Sequence, residues 1–197
     1  DPAPRPFVVR VVVTAAAAPD HGELLPWRFV IVPESARGRL ADAFAQSLRQ
    51  RDAAATEEQL AQAREKAHRA PLLMLAIART SGGDASIPAS ERLVSAGCAI
   101  QNMLLVATAL GFGSALTSGK AMDSRGLREL FSLTAEEQAL CFISIGTVTA
   151  ARRGRERPAV DRYVSELKEG SGMSSPVQLS EPGARGPTFE QPFEMMQ

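Results

Sequence analysis

Residues 95–119 read SAGCAIQNMLLVATALGFGSALTSG, part of the longest uncharged segment of this sequence and the stretch from which its fold is best predicted. No residue between positions 93 and 119 is charged, and the run predicts a long helix over residues 89–110 that ends at Gly111. A membrane span is the competing interpretation of so apolar a segment. Gln101 and Asn102 lie in its middle and glycines interrupt it, which favours a buried core or interface helix.

The flanking sequence alternates helices with a few short strands. Apolar periodicity and caps predict helices at residues 7–18, 35–51, 56–69 and 124–131, the last capped by Asp123. Apolar and β-branched runs predict strands at residues 27–32, 72–78 and 140–148. We interpret residues 114–118 as an apolar link and residues 134–138 as a turn. Helices dominate over three or four strands, which predicts an α+β domain with a mixed sheet flanked by helices.

The composition changes at Ala150, where a cluster of arginines begins. A short helical piece is expected after Pro158 and up to Leu167. Gly170-Ser171-Gly172 then opens a stretch rich in Pro, Gly and Ser, which is typical of a linker and not of a packed core. We therefore predict one domain over residues 1–168 and a flexible tail or linker over residues 169–197.

The composition excludes several classes of function. The 197 residues carry 22 basic and 22 acidic side chains, a balance that argues against an electrostatic nucleic-acid binder. Two histidines and two cysteines leave little material for a metal site or a disulfide framework, so we expect no metal. The sequence shows no signal-peptide pattern, and two widely separated cysteines fit a reducing compartment, which together predict a cytoplasmic protein with no membrane partner.

Familiar catalytic motifs fail on inspection. Residues 113–120 read GSALTSGK, but the first glycine of a phosphate-binding loop is out of register and Ala121 replaces the magnesium-binding hydroxyl. Gly111-Phe112-Gly113 follows a helix, whereas a dinucleotide fingerprint follows a strand. No nucleophile with a histidine partner is evident, and Cys98 on an apolar helix is interpreted as a structural thiol.

Three segments resemble the FMN-dependent nitroreductase family in order and spacing, from about Pro2 to Leu167, and are most similar to its short members. Residues 18–32 read APDHGELLPWRFVIV and resemble the family's turn before its first strand. Residues 95–119 resemble its central helix with the Gly-Phe-Gly bend, and residues 143–148, ISIGTV, resemble its last core strand. Simple core packing is the competing explanation of these segments.

The resemblance implies an α+β fold, a homodimer with the central helix at its interface, and FMN held between the subunits. It implies that NADH or NADPH reduces FMN, and that a small nitro or quinone-like electron acceptor then takes the hydride at the same flavin face in a ping-pong reaction. Because the flavin performs such chemistry itself, no catalytic side chain has to appear in the sequence. The alternative is a protein of this fold that has lost flavin and serves as a binding or interaction module.

The resemblance also assigns site residues. His21 falls on the flavin-contacting turn, and Arg157 falls on a position that pairs with the FMN phosphate. The expected flavin contacts after the Gly-Phe-Gly bend are Leu116, Thr117 and Ser118. The expected nicotinamide or substrate side comprises Val106, Ala107, Thr108, Ala109, Leu110 and Gly111.

The chain departs from the family pattern at several positions. No Arg-Arg-Ser arm precedes the first helix in this sequence, which starts at Asp1. Ala17 replaces a common basic residue, and Leu25 stands where Gln usually precedes Pro-Trp. Leu116 and Thr117 replace a more polar or aromatic pair.

Overall fold

The computed structural model describes residues 5–149, 157–167 and 174–176. The chain divides into two units, the first ending at Thr149 and the second beginning at Ala150. The predicted domain boundary at residue 168 stays a prediction.

A four-stranded sheet organises the first unit. Its strands are β1 (Trp27–Ile31), β2 (Leu72–Arg79), β3 (Gly113–Thr117) and β4 (Glu137–Gly146), in the order β1-β2-β4-β3. All three strand pairs are antiparallel. We expected a mixed sheet, and this detail was wrong for the described strands. The connections from β1 to β2 and from β3 to β4 each return the chain to the end of the sheet that it left, as antiparallel neighbours require, whereas the helix Ala89–Ala109 crosses the sheet between β2 and β3.

Helices cover both faces of this sheet. They are α1 (Arg5–Val12), α2 (Glu34–Arg51), α3 (Glu57–Glu65), α4 (Ala89–Ala109) and α5 (Arg125–Leu130). The α+β class is therefore confirmed. The helical segments and strands predicted between residues 7 and 148 are confirmed within a few residues, with 3₁₀ turns at Val13–Ala17 and Lys66–His68. The capping box at Thr56 and Gln59 is present.

Strand β2 is buried on both faces because two hydrophobic clusters pack against it. Its residues Leu72, Met74, Ala76 and Ala78 contribute to the cluster that includes α1 and α4. The alternate residues Leu73, Leu75 and Ile77 contribute to the cluster that includes α2 and α5. The period of two along a strand sends successive side chains to opposite faces, so an uninterrupted apolar run is needed here.

Helix α4 buries one stripe and exposes another. The apolar residues of its buried stripe are Ala96, Ala99, Ile100, Met103 and Ala107, at helical spacing. Leu93, Val94 and Leu105 are exposed on the same helix. Among the described residues α4 is the one helix long and apolar enough to cross a membrane by length and composition. Its packing against the sheet agrees with the predicted core helix.

Three local predictions were wrong. Residues 113–117 form the edge strand β3 and not a link, because main-chain pairing with β4 compensates for a short sequence that begins with glycine. The cap of α5 is Ser124, whose hydroxyl accepts from the Leu127 amide, and not Asp123. Strand β4 begins at Glu137, within the predicted turn.

The second unit has little regular structure among its described residues. A 3₁₀ turn at Val160–Arg162 is followed by strand β5 (Ser165–Leu167), which pairs with β6 (Ser174–Pro176). The helical piece predicted before Leu167 is therefore a turn and a strand. The other residues of the predicted tail lie outside the described residues.

Candidate functional site

The segment before β1, residues 19–25, forms a tight turn that we call the His21 turn. A short 3₁₀ helix, His21–Glu23, lies at its centre. Gly22, Glu23 and Leu25 all have positive φ angles, of 72°, 50° and 45°. For a bulky residue such as Leu25 this conformation is a genuine outlier, and such strain persists only where surrounding contacts impose it.

Side-chain hydrogen bonds hold the His21 turn in this conformation. The Asp20 carboxylate accepts from the amides of Leu24 and Leu25, at 3.2 and 2.7 Å. A Cβ on Gly22 would lie 2.7 Å from Cδ1 of Ile87, so the turn packs closely on the loop between β2 and α4. The turn is therefore preorganised.

His21 is exposed and forms a hydrogen bond with a residue of α4. Its Nδ1 lies 2.7 Å from Oε2 of Glu91, which belongs to the first turn of that helix. About half of each side chain is accessible to solvent. Within the described part of the chain Nε2 of His21 makes no hydrogen bond, so this nitrogen is available to a ligand.

A buried arginine holds the loop between β2 and α4, against which the His21 turn packs. The guanidinium of Arg92 donates to the carbonyls of Ile87 and Asp84, at 3.1 and 2.6 Å. Its side chain is only 2% exposed. Because an arginine is seldom buried without such partners, these bonds fix the loop on which the His21 turn rests.

The second candidate region begins where α4 ends. Gly111 adopts a φ of 84° and stops the helix, and the amide of Phe112 donates to the Ala107 carbonyl. The ring of Phe112 then packs on that of Phe7, with centroids 4.1 Å apart. This bend directs the chain into β3.

The six positions expected to face the nicotinamide or substrate differ in exposure. Ala107 is fully buried against the sheet, so its side chain is not available to a ligand. Val106 and Leu110 are partly buried against the same cluster. Thr108, Ala109 and Gly111 are exposed. The prediction therefore depends on these last three positions.

The end of β3 is open. We call residues 116–119 the β3 tip; Leu116, Thr117 and Ser118 are all exposed there, and Gly119 has a φ of 140°. Within the described residues, no side chain of the β3 tip makes a hydrogen bond, and no strand pairs with the outer edge of β3. Backbone groups along this edge and two hydroxyls are therefore available to a ligand.

Within one chain, the His21 turn and the β3 tip belong to opposite edges of the sheet. His21 contacts the beginning of α4, whereas β3 follows its end. A helix of 21 residues is about 30 Å long. Strand β3 then runs back along part of the length of α4. Among residues 5–149, no hydrogen bond joins its tip to the His21 turn.

Arg157 lies in the second unit and is exposed. Its expected pairing with a phosphate stays a prediction. So do the roles assigned to His21, Leu116, Thr117 and Ser118.

An ion pair joins β1 and β4 at the end of the sheet near the His21 turn. Arg28 on β1 donates through Nε and Nη2 to the two carboxylate oxygens of Glu137 on β4, at 2.6 and 3.0 Å. The hydrogen bond from Arg28, with a smaller contribution from the Thr134 amide, lowers the pKa of Glu137 to about 2. This buried carboxylate has a complete set of partners, so it is a structural group and not an available acid or base.

The sequence interpretation missed Glu91 and Arg92. Glu91 lies 70 residues from His21, and no local pattern links the two. The fold brings them together by packing α4 beside the His21 turn. A charged residue that follows the predicted start of a helix gives no sign that it will be buried, as Arg92 is.

Comparisons with known proteins agree on one family. A family model described as "Nitroreductase family" matches residues 1–147. A Haemophilus influenzae protein named "Putative NAD(P)H nitroreductase" is 33% identical over 138 residues, which cover 70% of this chain and 74% of that protein.

Solved structures share the fold. A nitroreductase-like family protein from Bacillus cereus has a TM-score of 0.70 at 21% identity and covers 86% of this chain and 88% of its own. The FMN and NADPH-dependent nitroreductase NfnB from sphigopyxis sp. strain HMH, solved as a mutant, has a TM-score of 0.65 at 18% identity. That match covers 83% of this chain and 89% of its own.

Proposed function

The chain belongs to the nitroreductase family, and from this premise we propose that it is an FMN-dependent oxidoreductase that uses NADH or NADPH. The acceptors are small nitro or quinone-like molecules, reduced in a ping-pong reaction in the cytoplasm. The similar proteins whose names include NAD(P)H or FMN support the nicotinamide and the flavin.

The observation that carries this proposal is the His21 turn. Positive φ angles at the two non-glycine residues Glu23 and Leu25 are costly. The Asp20 carboxylate holds the turn from within, and Ile87 and Glu91 contact it from two other segments. The strained turn presents an exposed imidazole next to an outlier leucine. Such a preorganised, exposed turn is more typical of a binding site than of a connection between two elements.

The residues of both regions fit the chemistry of FMN. A flavin offers an apolar ring system, N–H and hydroxyl donors, carbonyl acceptors and an anionic phosphate. Leu116 would contact the ring, and the hydroxyls of Thr117 and Ser118 would hydrogen-bond to its polar groups. His21 would contact the flavin from the other side, and Arg157 would pair with the phosphate.

Bound FMN supplies the hydride chemistry, so the protein contributes binding, orientation and exclusion of water. Thr108, Ala109 and Gly111 would provide a surface of small side chains against which a planar nicotinamide or acceptor can stack. Val106, Leu110 and the buried Ala107 would support that surface from the core. No side chain is assigned a role as acid, base or nucleophile.

We propose that the site forms across a homodimer. The His21 turn precedes one edge strand of the sheet, β1, and the β3 tip ends the opposite edge strand. A second copy would bring its own β3 tip to the His21 turn. Exposed apolar side chains support such an interface, since Val9, Val13, Val94 and Leu105 are each more than half exposed on α4 and the preceding N-terminal helical segment. An isologous dimer would bury both copies of this surface.

The test is a titration of the full chain with FMN, followed by flavin fluorescence, and then anaerobic addition of NADH or NADPH. We expect uptake of FMN, bleaching of the flavin absorbance by the nicotinamide, and return of the absorbance when a nitro compound or quinone is added. A chain that takes up no FMN would overturn the proposal and favour an interaction module of the same fold. Bound FMN that neither nicotinamide bleaches would overturn the redox assignment.

A further inference from the structure

The contact between His21 and Glu91 differs from that of the other histidine. Nδ1 of His21 lies 2.7 Å from Glu91 Oε2, within hydrogen-bond distance. His68 also faces a carboxylate, but its Nδ1 lies 3.7 Å from Glu34 Oε1, which is too long for a hydrogen bond. The chain thus contains one histidine with a bonded carboxylate and one without.

This hydrogen bond determines which ring nitrogen of His21 carries the proton. An ionised carboxylate can only accept, so the partner nitrogen, Nδ1, must donate. In a neutral imidazole the other nitrogen, Nε2, is then an acceptor. Glu91 thereby presents Nε2 of His21 to a ligand as a hydrogen-bond acceptor.

The charges around His21 restrict the ligand group further. Asp20 and Glu23 belong to the same turn, Glu91 lies on α4, and Asp84 lies on the loop between β2 and α4. Hydrogen bonds from the hydroxyl and the backbone amide of Ser86 hold the pKa of Asp84 below its usual value. The turn, its supporting loop and the first turn of α4 thus carry four carboxylates against the buried guanidinium of Arg92, a balance that disfavours a phosphate dianion at His21.

We propose that Glu91 is a positioning residue that holds His21 in the Nδ1–H tautomer, so that Nε2 accepts a hydrogen bond from an uncharged N–H or hydroxyl group of the flavin. The ring and the ribityl chain carry such donors, and the phosphate carries none when ionised. The identity of the ligand rests on the proposed function, whereas the tautomer is a property of this chain alone. His21 therefore contacts the part of FMN that riboflavin shares.

The tautomer can be measured directly by nitrogen-15 NMR of the labelled full chain, because two histidines give two resolvable sets of ring signals. At a pH where both rings are neutral, we expect the Nδ1–H form for His21. We expect the Nε2–H form, which imidazole favours in water, for His68. Glu91→Ala should convert His21 to the Nε2–H form, whereas the matched Glu34→Ala variant should leave it unchanged. A His21 ring in the Nε2–H form in the unaltered chain, or one insensitive to Glu91→Ala, would overturn the proposal.

Binding of FMN and of riboflavin tests the ligand group. His21→Ala should weaken both flavins by the same factor, about tenfold, because one hydrogen bond to the shared part is lost. Glu91→Ala should weaken both by a smaller and again equal factor. A loss for FMN with riboflavin unaffected would show that His21 faces the phosphate and would overturn the assignment. If the unaltered chain binds neither flavin, the proposed function fails, and the NMR experiment still decides the role of Glu91.

Discussion

The His21 turn and the β3 tip are both exposed and both assigned to the flavin, yet they are built in opposite ways. The turn is held by Asp20 from within and by Glu91 and the loop around Ile87 from outside. The β3 tip has main-chain pairing on one side and no side-chain hydrogen bond among the described residues. The His21 turn is therefore held in place before a ligand arrives, whereas the β3 tip is an open edge that a ligand or a partner subunit would complete.

Substitution of Arg92, which holds the loop behind the His21 turn, should have the largest effect on stability and on FMN affinity. Arg92→Leu leaves the carbonyls of Asp84 and Ile87 without their donor, and we expect the free energy of unfolding to fall by about 3 kcal/mol. The turn should loosen, so FMN affinity should also fall. Urea unfolding and flavin titration measure the two effects.

Arg37 provides a matched control for Arg92. It is equally buried and donates to the carbonyls of Val32 and Ala67, but it belongs to the α2 face of the sheet. Arg37→Leu should cost a similar free energy of unfolding and leave FMN affinity of the folded fraction unchanged. Equal losses of FMN affinity in both variants would show that the effect comes from general instability and not from the turn.

The ion pair of Arg28 and Glu137, at the end of the sheet near the His21 turn, should make the free energy of unfolding depend on pH. Because the pKa of Glu137 is lowered to about 2 from its ordinary 4.5, the ion pair stabilises the fold above the ordinary pKa. That stability is lost as the pH falls from about 5 to about 2, and we expect a loss of about 2 kcal/mol in the free energy of unfolding.

Glu137→Gln isolates this contribution. The variant should be less stable than the unaltered chain at pH 7, and the difference should shrink toward pH 2 in urea unfolding experiments. Glu129→Gln, which removes the exposed partner of Arg125, is the control and should leave the pH profile unchanged. A difference between Glu137→Gln and the unaltered chain that persists at pH 2 would mean that the charge of Glu137 does not stabilise the sheet.

Gly22 in the His21 turn and Gly119 in the β3 tip allow the packing of the two regions to be compared directly, with smaller expected effects. Gly22→Ala places a Cβ 2.7 Å from Ile87 Cδ1 at a φ of 72°, whereas a Cβ on Gly119 meets no atom within 4 Å at a φ of 140°. We expect losses in the free energy of unfolding of about 2 kcal/mol for Gly22→Ala and about 1 kcal/mol for Gly119→Ala. Thermal or urea unfolding checks the order, and a larger loss at Gly119 would contradict it.

Local sequence signals predicted much of the fold and little of the site's construction. The capping box of Thr56 and Gln59 was predictable because both partners lie within one helical turn. The apolar run of β2 predicted a buried strand for a similar reason. By contrast, β3 is short and exposed, and it becomes a strand only because β4 pairs with it.

The site depends on contacts between distant parts of the chain. The sequence indicated His21 through a family resemblance, but Glu91 became its partner only once α4 packed beside the turn. The burial of Arg92 and the strain at Leu25 likewise depend on how the loop and the turn meet. Such contacts have no periodicity or spacing by which a sequence pattern could reveal them.

The proposed flavin site joins the His21 turn of one chain to the β3 tip of another. This arrangement can be tested with two variants, His21→Glu and Ser118→Glu, each of which places a carboxylate against the flavin. Chains with different affinity tags allow mixed dimers to be purified after coexpression. Neither variant should bind FMN as a homodimer.

The decisive measurement is the amount of FMN bound per mixed dimer, determined by flavin absorbance. If the site is shared between subunits, one site of each mixed dimer contains both substitutions and the other contains neither, so the account predicts one FMN per dimer. If each chain forms its own site, both sites carry a substitution. Mixed dimers that bind no FMN would therefore contradict the account.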